Sequence, residues 1–192
     1  LRVDSGKPDA LTREQQAQAT YNLSLAVFFA DMESPQAKAR AAELLLAVGE
    51  KFADQPVART AMEEALTLAR DLHSAKPSPK GAEELYSRAF QLLLSKIPES
   101  PLLDDQYGYF AFTVLQPAGR YQEAIQLYDK VPATHPWYLD AQGLALKCMQ
   151  TLYNSATAGE RDTRREQFLG RAQKYQSLVR ERLAKNPQPG EA

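Results

Sequence analysis

The sequence predicts an all-α protein of eight helices that pair into about four antiparallel hairpins. Signals for strands are nearly absent, because β-branched residues are scarce and the chain has no Asn-Gly or Asp-Gly hairpin turn. Good helix formers such as Ala, Leu, Gln, Glu, Lys and Arg dominate the 192 residues. Apolar residues also recur at the spacing of a single helical face, which favours packed helices over a sheet.

The helices are expected to follow one another through short links, which make consecutive helices antiparallel neighbours. We expect them near residues 12–31, 35–53, 56–74, 80–97, 101–116, 119–132, 136–156 and 160–185.

Capping residues and prolines mark most of these starts. Thr12 with Gln15 fits a capping box before the first helix. Three Ser-Pro pairs each offer a serine that can cap and a proline suited to the first helical position. These pairs are Ser34-Pro35, Ser78-Pro79 and Ser100-Pro101. Pro56 and Pro136 indicate two further starts.

The apolar residues of several helices form a continuous stripe, as expected for helices that pack along one face. The clearest stripes are Ala41, Leu45, Val48 and Phe52; Ala82, Leu85, Ala89 and Leu93; and Phe168, Ala172, Tyr175 and Val179.

Charge and composition exclude several classes of partner. The net charge of −1 gives no field that would collect nucleic acid, and no apolar run approaches the roughly 20 residues of a membrane span, so we expect no direct membrane insertion. The single cysteine, Cys148, allows no intrachain disulfide and is expected to be a buried apolar residue in a cytoplasmic or an extracytoplasmic protein alike.

The two ends of the chain are polar and rich in Pro and Gly. We expect them to be flexible and the ordered part to cover about residues 10–186, within a single domain over residues 1–192. Because the chain begins at Leu1 rather than Met, we expect it to be part of a larger protein, either anchored to a membrane or not.

One stretch, residues 119–136, combines small and aromatic residues at fixed distances. Its ordered positions are Gly119, Tyr121, Ala124, Tyr128, Val131 and Pro136. The small Ala124 suits a close crossing of two helices, and Gly119 suits a left-handed turn before the helix. This order resembles the second helix of a tetratricopeptide repeat (TPR).

The resemblance implies a TPR-like α-solenoid, in which helical hairpins stack into a right-handed superhelix. Two other segments keep the same spacing, one of them with Leu in place of the aromatic residue. They are Ala82, Tyr86 and Ala89, and Ala41, Leu45 and Val48. The clamp of Lys, Asn and Arg side chains with which some family members hold a terminal carboxylate has no counterpart in this sequence.

No grouping of residues indicates catalysis, and we expect no catalytic, cofactor-binding or metal site. His73 and His135 stand far apart without an HExxH or His/Asp/Ser pattern, and no glycine-rich phosphate loop occurs. Asp104 and Asp105 are expected in the first turn of a helix, where carboxylates complement the helix dipole.

Aromatic residues crowd the first and fifth predicted helices, either as core or as the lining of a binding groove. The TPR resemblance implies that one set of residues lines the concave groove. It also implies that Phe110 and Ala111 face neighbouring helices. The groove set is Tyr21, Leu25, Phe28, Tyr109 and Phe112.

We therefore expect a non-enzymatic interaction or scaffold module that binds a peptide or helix of a partner protein. One alternative is a structural spacer that packs on its own chain or on a second copy. An all-helical enzyme is a minor alternative.

Overall fold

The computed structural model describes residues 11–185, and this part of the chain is helical and contains no strand. The all-α prediction is therefore confirmed. The predicted flexible ends, residues 1–10 and 186–192, lie outside the described residues. The helices are α1 (Arg13–Ala30), α2 (Pro35–Lys51), α3 (Val57–Ser74), α4 (Ala82–Lys96), α5 (Leu102–Phe110), α6 (Tyr121–Tyr128), α7 (Tyr138–Asn154) and α8 (Arg161–Lys185).

Each predicted helix corresponds to one of these eight. The fifth differs most, because α5 ends at Phe110 and continues as a π-helical turn over Ala111–Leu115. Within this turn the N–H of Gln116 donates to the carbonyl of Ala111, five residues earlier rather than four. Hydrophobic periodicity does not encode such a turn, so it was not predicted.

The predicted caps are confirmed at two helices and wrong at two. Thr12 and Gln15 form the capping box of α1, and the Ser34 hydroxyl caps α2. Ser78 does not cap α4, because Gly81 precedes that helix in a left-handed conformation with φ of 82°. Ser100 does not cap α5, because its hydroxyl donates instead to Glu63 Oε1 at 2.8 Å.

The helices form two compact units, one ending at Ser100 and the other beginning at Pro101. We call them the first and the second unit. The single domain over residues 1–192 stays a prediction.

The core of the first unit is centred on α3, which packs against both α2 and α4. Small residues on α3 allow this close approach, since Ala61, Ala65 and Ala69 are fully buried. Gly49 of α2 lies so near α3 that an added Cβ would be 2.4 Å from Met62 Cγ. A bulkier residue at Gly49 would therefore require the Met62 side chain to move out of its place in the core.

The core of the second unit contains the stretch that resembles a TPR helix. Ala124 and Tyr128 have no exposed surface, and Val131 is 3% exposed. Gly119 adopts the predicted left-handed conformation, with φ of 73°. The burial predicted for Cys148 is also confirmed, because its side chain is only 1% exposed.

Candidate functional site

Three of the five predicted groove residues lie on one face of α1 in the first unit. Tyr21, Leu25 and Phe28 follow the i, i+4, i+7 spacing, and all three are half-buried. The Tyr21 hydroxyl donates to Glu64 Oε1 of α3 at 2.9 Å. Partial burial, reinforced by this carboxylate, raises the pKa of Tyr21 above its usual value. The hydroxyl therefore stays protonated and ties α1 to α3.

A cavity of about 270 Å³ opens beside this face and is bounded by α1, α2 and α3. Its walls are mostly apolar: α1 contributes Leu25 and Phe28, α2 contributes Leu45, and α3 contributes Leu68. Ser24 is fully buried at its edge, where its hydroxyl donates to the carbonyl of Tyr21 at 2.6 Å. Of the residues that line the cavity, only Glu64 carries a charge.

The sequence did not assign Phe29 to the groove, yet this residue also lines the cavity and is 63% exposed. Its ring lies against Phe28, with centroids 5.3 Å apart and an angle of 58° between the planes. Met32, just after α1, is 48% exposed. An alignment with the TPR pattern does not identify Phe29 or Met32 as exposed, because their exposure depends on the packing of α2 against α1.

The other two predicted groove residues, Tyr109 and Phe112, belong to the second unit. Tyr109 is half-buried and Phe112, in the π-helical turn, is 49% exposed. Phe110 and Ala111 between them are buried, at 3% and 0% exposure. Phe110 and Ala111 therefore belong to the core, while the groove formed by the predicted set of residues stays a prediction.

The second unit contains one histidine–carboxylate pair, in which His135 Nε2 lies 2.8 Å from Asp105 Oδ1. The other ring nitrogen, Nδ1, accepts a hydrogen bond from the backbone N–H of Trp137 at 3.2 Å. With Nδ1 accepting, the N–H of the ring lies on Nε2 and donates a hydrogen bond to the carboxylate. Both ring nitrogens are thus hydrogen-bonded in the turn before α7.

Within residues 11–185, no group of three or more His, Cys, Asp or Glu side chains could hold a metal ion. None of the helices in that range combines the length and the apolar character needed to cross a membrane.

Compared with the models of known protein families and with curated proteins, the chain matches none of them. The candidate site therefore rests on its own geometry.

Proposed function

We propose that the protein is a non-enzymatic interaction module, a TPR-like helical array whose first unit binds a helix or peptide of a partner protein. The cavity beside α1 carries this proposal. The partner would insert an aliphatic or aromatic side chain between Phe28, Phe29 and Leu68.

The packing inside the first unit supports a repeat architecture. Each helix packs on the next one along the chain, and α1 with α3 and α2 with α4 also make contact. Hairpins stacked in a solenoid have this pattern of neighbours, because each pair of helices covers the apolar face of the pair beside it. In the second unit, α6 packs on α7 and α7 on α8 in the same consecutive way.

The exposed aromatic surface supports binding of a partner. Exposed apolar residues that stand singly are ordinary, but Phe29 lines an open apolar cavity, and the exposed Met32 follows it by three residues. Aromatic side chains in such positions provide rigid contact area and account for a large share of binding energy at interfaces.

The charges around the cavity indicate the chemistry of the partner. Glu64 is the charged residue of the lining, and the exposed Asp31 and Glu33 flank Met32 in the link from α1 to α2. A partner segment with an apolar anchor followed by Lys or Arg would complement both the cavity and the acidic link that follows α1.

The test is selection of peptides from a displayed random library against the full chain. We expect the selected peptides to share an apolar anchor next to Lys or Arg. Phe29→Ala should weaken their binding by about 1–2 kcal/mol, as for an aromatic contact near the centre of an interface. The matched control is Leu23→Ala, because Leu23 is 52% exposed on the same helix but does not line the cavity.

Equal weakening by Phe29→Ala and Leu23→Ala would place the peptides elsewhere and overturn the proposal. So would selected peptides that lack an apolar anchor.

Self-association is the second candidate, and α8 favours it. None of the side chains described in this 25-residue helix is fully buried, and Leu169 and Leu183 are each nearly half exposed. A second copy could cover these residues. Light scattering coupled to size-exclusion chromatography distinguishes the two functions, because a dimer that forms with rising concentration and dissociates in Leu169→Asp supports self-association.

A further inference from the structure

A second cavity, of about 440 Å³, lies in the second unit between α6, α7 and α8. We propose that this cavity binds a small organic anion, with a phosphate or carboxylate group joined to an apolar body. This site is separate from the cavity beside α1 and does not depend on the function proposed there.

The wall formed by α8 is cationic. Arg164, Arg171 and Lys174 line the cavity at spacings of seven and three residues, which place them on the same side of the helix. The only acidic residue that lines it is Asp129 at the end of α6. The lining therefore has three positive charges against one negative charge.

Arg171 is held rigidly, which prepares it to bind an anion. Its side chain is 14% exposed, and its Nη2 donates to Asp129 Oδ1 at 2.6 Å and to Gln142 Oε1 at 2.9 Å. A guanidinium group has five N–H donors. The hydrogen bonds of Nη2 leave the Nη1 donors for an oxyanion in the cavity.

The other two cations are not neutralised within the lining. Arg164 Nη1 donates to the neutral amide oxygen of Gln122 at 3.2 Å. Glu160, one turn before Arg164, accepts a hydrogen bond from the hydroxyl of Thr157 at 2.7 Å and does not line the cavity. Hydrogen bonds from Thr157 lower the pKa of Glu160, and the Arg164 charge contributes to this shift only after them. Lys174 is exposed and has no ion pair in the described part of the chain. These two charges are thus available to a ligand.

The opposite wall is apolar, which favours a ligand that carries an apolar body beside its anionic group. Ile125 of α6 and Met149 and Leu152 of α7 line this side. The volume lies within the range of about 300–1,000 Å³ typical of small-molecule sites, which combine apolar walls with a few convergent polar groups. A bare inorganic ion would leave the apolar wall uncovered, whereas an organic anion would use both walls.

The experiment titrates the full chain with phenyl phosphate and phenylacetate by calorimetry, at about 50 mM salt so that screening stays moderate. Two further probes serve as comparisons: inorganic phosphate lacks the apolar body, and benzyl alcohol lacks the anionic group. We expect at least one organic anion to bind more tightly than either of these probes. The tighter of the two anions then identifies the oxyanion group, and either choice supports the site.

The variants Arg164→Gln and Lys174→Gln should each weaken binding about tenfold, the effect of losing one charge-assisted hydrogen bond. Arg180→Gln is the matched control, because it removes the same charge from an exposed position of α8 outside the cavity. It should change the affinity less than twofold, and circular dichroism should show equal helix content in all three variants.

Three results would overturn the proposal. The first is that neither organic anion binds. The second is that Arg180→Gln weakens binding as much as Arg164→Gln, which would indicate a diffuse charge effect. The third is that inorganic phosphate or benzyl alcohol binds as tightly as the organic anions, because then one of the two walls takes no part.

Discussion

At the scale of single residues, a close contact of the second unit joins Gly108 of α5 to Trp137. The indole ring lies directly over Gly108, so that an added Cβ would be 2.0 Å from Trp137 Cζ3. Backbone atoms of Gly108 are thus the surface on which Trp137 packs. The glycine is needed for close approach and not for an unusual backbone angle, since it lies within the helix.

We predict that Gly108→Ala destabilises the second unit by about 1–3 kcal/mol through overpacking. Gly170→Ala is the matched control, because Gly170 also lies inside a helix but has no atom within 4 Å of an added Cβ. It should be neutral or stabilise by up to about 1 kcal/mol, as alanine is the better helix former. Denaturant unfolding followed by fluorescence of Trp137, the only tryptophan, measures both. Equal effects of the two substitutions would show that the indole ring moves away at no cost.

The sequence predicted those single residues whose role depends on their own helix. Ala124 and Gly119 were identified correctly because a small residue and a left-handed turn fit fixed places in the TPR pattern. The contact between Gly108 and Trp137 was not predictable. It joins residues 29 positions apart, and its geometry depends on how α5 meets the turn before α7.

At the scale of elements, the adjacent aromatic residues Tyr109 and Phe110 of α5 differ in burial. We predict that Phe110→Ala costs about 3–5 kcal/mol, because its side chain is 3% exposed in the core. Tyr109→Ala should cost clearly less, because Tyr109 is only half-buried. Denaturant midpoints of the two variants, compared with the unaltered chain, provide the measurement. A loss at Tyr109 as large as that at Phe110 would assign both rings to the core and remove Tyr109 from any groove.

Existence and order of the helices followed from the sequence, whereas the surfaces between them did not. Helical periodicity and caps such as Thr12 with Gln15 are local signals that neighbouring residues supply. The cavity beside α1 needs residues from three helices, and Glu64 and Leu68 gave no sign in the sequence that they would border it. The second cavity was not predicted either, because its cationic wall lies on α8 and its apolar wall on α6 and α7.

At the scale of the whole molecule, stability should decline at alkaline pH. Burial raises the pKa of the Cys148 thiol, and it also raises the pKa of the Tyr128 hydroxyl. In the unfolded chain the Cys148 thiol ionises at about pH 8.5, whereas in the folded chain it keeps its proton to a higher pH. The unfolded state therefore binds fewer protons above that pH, and the free energy of unfolding falls as pH rises.

We predict that Cys148→Ala loses less stability than the unaltered chain between about pH 7.5 and 9.5, by at most about 1.4 kcal/mol for the single thiol. Denaturant unfolding at both pH values, again followed by Trp137 fluorescence, gives the loss of stability between them for each protein. Because each loss is measured within one protein, the destabilisation caused by replacing Cys148 with the smaller alanine cancels. If both proteins lose the same amount, the folded environment does not disfavour the thiolate.

The π-helical turn at Ala111–Leu115 has a consequence for comparing this chain with any repeat pattern. A turn closed over five residues instead of four holds one extra position, so the residues that close it lie about 100° from where an uninterrupted α-helix would place them. Sequence distance and angular phase therefore agree before Ala111 and disagree where the turn closes at Gln116. A gapless repeat template consequently assigns the wrong face to the last residues of this helix.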